Sequence, residues 1–293
     1  MFPGFEEWDV AVAGGDVTLH GRSHAGGPPI VLLHGHPRAH TTWYRVAPLL
    51  VQGGMSVVCP DLRGYGRSSK PEPDSAHALH CDRAMAQDVV DLMGELGHER
   101  FVVAGHDRGQ GVAYRMALDH PERVAALAVL DGIPLLESVE RTDARFATQW
   151  WHWFFFAGSP HAERVITADV DAWYGLDDAR RAAMGPENFE YVSEALHDPA
   201  TVRAMLEDYR AGLGIDADHD RADRAAGHRI TCPTLVAWSL HDDLEELHGD
   251  PVAICRPWVD AAITAARIDS GHHMAEENPE QLAAELLAFA RGR

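Results

Sequence analysis

The stretch Phe101-Val102-Val103-Ala104-Gly105-His106-Asp107-Arg108-Gly109-Gln110-Gly111 constrains the fold of this chain more than any other. A short apolar run suited to a buried strand meets Gly-X-Asp-X-Gly, and Val112–Leu118 then reads as a helix. Strand, sharp turn and helix, with glycines beside one reactive side chain, is the build of a nucleophile elbow. Most elbows carry Ser; here the central residue is Asp107. A Ser elbow serves acyl transfer with a His as base. An Asp is ionised at neutral pH without help. It can displace a leaving group from saturated carbon, forming an alkyl ester that water must then cleave. Asp107 therefore points to a carbon–halogen bond or an epoxide. The competing reading is a structural Asp capping the helix that follows.

A chain of 293 residues fits one large α/β domain with an insertion. Short continuous apolar runs at 30–33, 55–59, 101–104, 124–130, 234–238 and 265–269 alternate with helical stretches, which predicts a mostly parallel sheet covered on both faces. Residues 8–22, around Gly14-Gly15-Asp16, predict an opening hairpin. Residues 136–228 interrupt this pattern: they are helical, rich in Trp and charge, and lack strand signals. The expected division is a core of residues 1–135 and 229–293 with a helical cap of 136–228. Within that cap, Asp216–Asp223 reads as a charged, solvated loop. A formal charge of −20 argues against nucleic-acid and anionic-membrane partners, and it repels small anions at long range. The cysteines at 59, 81, 232 and 255 form no Cys-X-X-Cys pair, and Met1–Glu7 has no signal-peptide character. The expected setting is soluble and cytoplasmic, with a small-molecule substrate and water as partners and no cofactor.

An ester mechanism needs a base and an acid to orient it, and open α/β sheets place such groups at the carboxyl ends of strands. His272, in Ser270-Gly271-His272-His273, follows the last strand and suits the base that activates water. Asp131 follows one strand and the pair Asp242/Asp243 follows another, so either position supplies the acid. His34-Gly35-His36-Pro37 suits an oxyanion hole, with the backbone N–H groups of His36 and Arg108 directed at the Asp107 oxygen that becomes anionic. A metal site built from His34, His36, His106, His272 and His273 lacks ligand spacing, and 19 histidines dilute the signal, so no metal is expected.

The stretches Val31–Val46, Cys59–Ser68, Val103–Pro121, Trp151–Phe154, Asp208–Ala211 and Gly271–Glu277 together resemble α/β-hydrolases of the haloacetate (fluoroacetate) dehalogenase group, close to the epoxide hydrolases. The resemblance runs over nearly the whole chain. It implies the α/β-hydrolase fold, with Asp107 as nucleophile, His272 as base and Asp131 as supporting acid, whereas Asp242 and Asp243 sit where epoxide hydrolases place theirs. It implies that His152, Trp153 and Tyr209 stabilise the leaving halide and that Arg108 holds a substrate carboxylate. Family members are often dimers, which suggests a homodimer.

Two residues depart from the family pattern. Gly111 stands where a second carboxylate-binding Arg is usual, and His36 stands where Phe or Tyr is usual. Both suggest a bulkier or less anionic substrate. The expected activity is hydrolytic dehalogenation of a short 2-haloacid. The alternative is epoxide hydrolysis by the same Asp/His pair, with Tyr174, Tyr191 or Tyr209 protonating the ring oxygen. A binding protein without turnover is the third reading, and the intact Asp107, Asp131 and His272 weigh against it. No Gly-X-Ser-X-Gly occurs, which disfavours a Ser esterase.

Overall fold

The computed structural model describes residues 1–158 and 160–292. Strands β1 (Glu6–Val12) and β2 (Val17–His24) form the hairpin around Gly14-Gly15-Asp16. Then come β3 (Pro29–Leu33), β4 (Ser56–Pro60), β5 (Phe101–His106), β6 (Val124–Leu130), β7 (Thr234–Ser239) and β8 (Ile263–Ile268). They form one sheet in the order β1-β2-β4-β3-β5-β6-β7-β8. The hairpin sits at one edge, where β2 pairs antiparallel with β4, and the remaining strands are parallel.

Successive side chains of a strand point to opposite faces, so a continuous apolar run serves two layers at once. Ile30 and Leu32 belong to one core with Val46 and Leu50 of α1 (Val46–Gln52) and Leu282 and Leu286 of the helix Pro279–Arg291. Val31 and Leu33 belong to the other, with Met85 and Val89 of α2 (Asp82–Glu95) and Val112 and Met116 of α3 (Arg108–Asp119). Cys59, Cys81, Cys232 and Cys255 are buried and unpaired. Among the described residues, no helix is long and apolar enough to cross a membrane.

The chain between β6 and β7 is helical, with no strand among its described residues. Asp216–Asp223 departs from the expected loop. A π-helical turn, Gly212–Asp216, runs straight on into the helix Ala217–Ala226. The spacing of Asp220 and Asp223 sets both carboxylates on one helical face, and both bind the Arg115 guanidinium of α3, Asp220 at 2.5 Å. The buried cation accounts for Asp220 and Asp223, a partner that composition alone could not reveal.

Glu276 is a second tie between this helical segment and the sheet domain. It is buried and accepts hydrogen bonds from Arg38 Nε (2.9 Å), Thr42 (2.9 Å) and Asn188 (3.1 Å). Removing one partner of a buried ion pair strands the other charge in a poor solvent. Glu276→Ala is therefore expected to lower the unfolding free energy by about 3–5 kcal/mol in urea denaturation. Glu246→Ala, which breaks an exposed pair with Arg145, should leave the midpoint unchanged.

Candidate active site

Asp107 sits between β5 and α3 at φ 52°, ψ −123°, a conformation that L-residues rarely adopt. The turn can be that sharp because its neighbours lack side chains. A Cβ on Gly105 would lie 2.1 Å from the Gly109 carbonyl oxygen, and one on Gly109 would lie 2.3 Å from that of His34. A Cβ on Gly35 would lie 2.2 Å from Asp107 Oδ1, so the loop after β3 can run directly against the carboxylate. His36 N–H donates to Oδ1 at 2.7 Å, and the Arg108 N–H bonds the same carboxylate. Burial alone would raise the Asp107 pKa. The neighbouring His272 outweighs it and holds the carboxyl below the usual range, ionised.

His272 Nε2 lies 3.6 Å from Asp107 Oδ2. Its Nδ1 faces two acids, Asp131 Oδ2 at 2.8 Å and Asp242 Oδ2 at 2.9 Å. An imidazole has one N–H at that position, so two carboxylates compete for one proton. Asp131 follows β6 and Asp242 follows β7; these strands are neighbours, so both acids reach one nitrogen. Asp243 turns away and accepts from Trp150 Nε1 at 2.9 Å. The sequence posed Asp131 and Asp242 as alternatives, and the structure brings them together. Burial would lower the His272 pKa, but the nearby Asp107 carboxylate and the hydrogen bonds to Asp131 and Asp242 raise it well above the ordinary value.

Two of the other histidines hold the frame. His34 Nε2 accepts the Leu62 N–H at 3.1 Å, and His106 Nε2 donates to the His272 carbonyl at 2.7 Å. His106, Asp131 and His272 bring ligand-type atoms within 4.8 Å of one another. His106 Nε2 and His272 Nδ1 are already used in the hydrogen bonds just described.

The helices Trp151–Ala157 and Pro199–Ala211 bring His152, Trp153 and Tyr209 to the same place. The Tyr209 ring lies 5.9 Å from Trp153 and 6.1 Å from His152, centroid to centroid, and the Arg108 guanidinium lies 5.1 Å from the Tyr209 ring. Burial, then the Asp107 charge, keeps the Tyr209 phenol protonated. Burial keeps His152 and His36 neutral, His36 with a pKa of about 3. Tyr191, an expected candidate for ring protonation, spends its hydroxyl on Asp61 at 2.5 Å. The Arg108 fork, expected to hold a substrate carboxylate, is taken by Asp208, with Nε at 3.0 Å from Oδ1 and Nη2 at 3.1 Å from the backbone carbonyl. Tyr65 donates to the same Asp208 carboxylate at 2.7 Å. Asp208 and Tyr65 were invisible as site residues because nothing in sequence pairs positions 65, 108 and 208. A narrow cavity opens beside Asp107, lined among others by Gln110, Gly111, Ile133, Leu135 and Trp153.

An Asp elbow on a mostly parallel sheet, a strand-end His and an inserted helical segment together define an α/β-hydrolase. The family model for the alpha/beta hydrolase fold matches residues 28–279, and the chain belongs to this family. It is 40% identical to a fluoroacetate dehalogenase from Burkholderia sp over 99% of this chain and 95% of that one. It is 30% identical to Epoxide hydrolase A of Mycobacterium tuberculosis over 91% of each. Among solved structures, the epoxide hydrolase CorEH superposes with a TM-score of 0.83 at 26% identity, covering 99% of this chain and all of that one.

Two carboxylates at Nδ1 make the His272 titration testable. The imidazole is expected to titrate well above the usual ~6.5. Removing a negative charge beside an imidazolium destabilises its charged form, so Asp131→Asn and Asp242→Asn should each lower the midpoint, and the double variant should lower it further. NMR titration of the ring protons, assigned with His272→Asn, reads this directly. An ordinary midpoint in the parent protein contradicts the arrangement.

Proposed function

We propose that the protein is a hydrolytic dehalogenase acting on a short 2-halo carbonyl compound of haloacetate size. The observation that carries this is the Asp107 carboxylate at the elbow, with one oxygen on the His36 N–H at 2.7 Å and the other 3.6 Å from His272 Nε2. The identity with a fluoroacetate dehalogenase supports it.

In this mechanism Oδ2 attacks the halogen-bearing carbon as the carbon–halogen bond breaks, leaving an Asp107 alkyl ester and free halide. Buried donors directed at an emerging anion lower the barrier to its departure. The Trp153 indole N–H, the Tyr209 hydroxyl and the neutral His152 imidazole serve that role. Ester formation removes the Asp107 charge that holds the proton on His272, so Nε2 releases it to solvent; water then loses a proton to the neutral Nε2 and attacks the ester carbonyl carbon. The charge that develops on Oδ1 falls on the N–H groups of His36 and Arg108. Collapse releases the hydroxylated product, restores the carboxylate, and the proton leaves His272 for solvent. In the ester the Asp107 charge is gone, but Asp131 and Asp242 still orient the ring and support the imidazolium that forms.

Epoxide opening by the same pair is the second reading. Tyr209 and Tyr174 both pack on the His36 ring, at 5.3 and 5.8 Å, and phenols placed there suit protonation of a ring oxygen. Tyr209→Phe separates the two: a dehalogenase loses about tenfold in halide release and forms no diol from epoxides, whereas an epoxide hydrolase loses diol formation.

Halide release from chlorinated and brominated two-carbon substrates should vanish in Asp107→Asn, assayed at short times because Asn here can hydrolyse to Asp. His272→Asn should accumulate an adduct with the mass of the alkyl ester, detectable by intact-protein mass spectrometry. Asp131→Asn and Asp242→Asn should each cost about tenfold or less in kcat, and the double variant about 10³–10⁴-fold, because either acid alone keeps the imidazole tautomer correct.

A further inference from the structure

Three features of the cavity beside Asp107 bear on the substrate it accepts. Arg108 is the one cation among the described residues that line it, and its charge is already paired with Asp208, with Asp82 Oδ1 a further 3.9 Å away. Position 111 carries no side chain and is backed by acid: a Cβ on Gly111 would lie 2.5 Å from Asp82 Oδ2. Gln110, which lines the same cavity and is 8% exposed, donates its amide to the Ile133 carbonyl at 3.0 Å, and that bond fixes which end is oxygen. Its Oε1 is buried and has no hydrogen-bond partner in the protein.

A buried acceptor without a donor costs free energy until something supplies an N–H or O–H. A carboxylate cannot do so, because an ionised carboxylate is acceptor-only. It would set its own oxygens against Gln110 Oε1, with no unpaired cation among the described lining residues to offset them. An amide N–H meets the same acceptor directly. Ile133 and Leu135 continue the wall as apolar surface, suited to a neutral group. The formal charge of −20 disfavours an approaching anion as well.

We propose that the site takes a neutral 2-halo carbonyl compound bearing an N–H on the carbonyl beside the reacting carbon, a 2-haloacetamide, in preference to the 2-haloacid anion. Its N–H donates to Gln110 Oε1 while Asp107 displaces the halide, and the product is the 2-hydroxy amide. This rests on the Asp107 displacement proposed above and specifies its substrate.

The test compares halide release from chloroacetamide and chloroacetate, which share the reacting carbon and the leaving group. Fluoroacetamide and fluoroacetate form a second pair inert to thiols, and Asp107→Asn subtracts cysteine alkylation. The expected kcat/KM for the amide exceeds that for the acid by at least about tenfold. Gln110→Leu should collapse that ratio by lowering the amide alone. Asp208→Asn, which frees the Arg108 charge, should raise the acid relative to the amide. Asp107-dependent halide release that is equal for the two, or greater for the acid, overturns the amide preference and leaves the dehalogenase reading standing. No Asp107-dependent release from any of the four, with the protein folded by circular dichroism, overturns both. A ratio unmoved by Gln110→Leu overturns the role of Gln110 even if the amide is preferred.

Discussion

The site depends on one strained residue. Asp107 occupies a backbone conformation that costs of order 1–3 kcal/mol outside glycine, and it persists only where the surroundings over-determine it. Here the surroundings do so from three directions. Gly105 and Gly109 let strand, turn and helix approach within van der Waals contact of one another. The His36 N–H takes one carboxylate oxygen, and the His272 ring holds the other side. The same contacts that stabilise the strain are those the proposed Asp107 ester would need, so rigidity and the proposed chemistry share one set of atoms.

Buried charge ties the helical segment to the sheet domain. Arg115 of α3 is held by Asp220 and Asp223, and Arg108, at the start of the same helix, by Asp208. Glu276 gathers Arg38, Thr42 and Asn188. Such pairs contribute less stability than their number suggests, because desolvation offsets much of the attraction. Their geometry is demanding, however, and the Arg108–Asp208 pair anchors the residue next to Tyr209 beside the elbow. Positioning of this part of the aromatic wall is thus an electrostatic matter, although the wall itself is apolar.

The sheet was legible in the sequence because its strands are short continuous apolar runs, and a run such as Ile30–Leu33 has few other ways to bury both faces. Asp107 and His272 were legible for a related reason: each follows a strand, and the glycines at 105, 109 and 271 mark turns. What stayed hidden depended on pairings across the fold. The Asp216–Asp223 run looked solvated because its cationic partner, Arg115, lies about a hundred positions away in the chain. Arg108 looked like a free anion binder because Asp208 lies equally far off. The sequence could not show that Asp131 and Asp242 both reach His272 Nδ1: their strands are neighbours, and strand order is a tertiary fact.

That double occupancy bears on how this architecture changes over time. An acid delivered by a single strand cannot move, since losing it before a replacement arises inactivates the enzyme. With β6 and β7 both presenting a carboxylate to one nitrogen, either acid can drift away while the other keeps the ring in place. The arrangement seen here puts carboxylates from two neighbouring strands on one ring nitrogen, so the orientation of His272 does not hang on either strand alone.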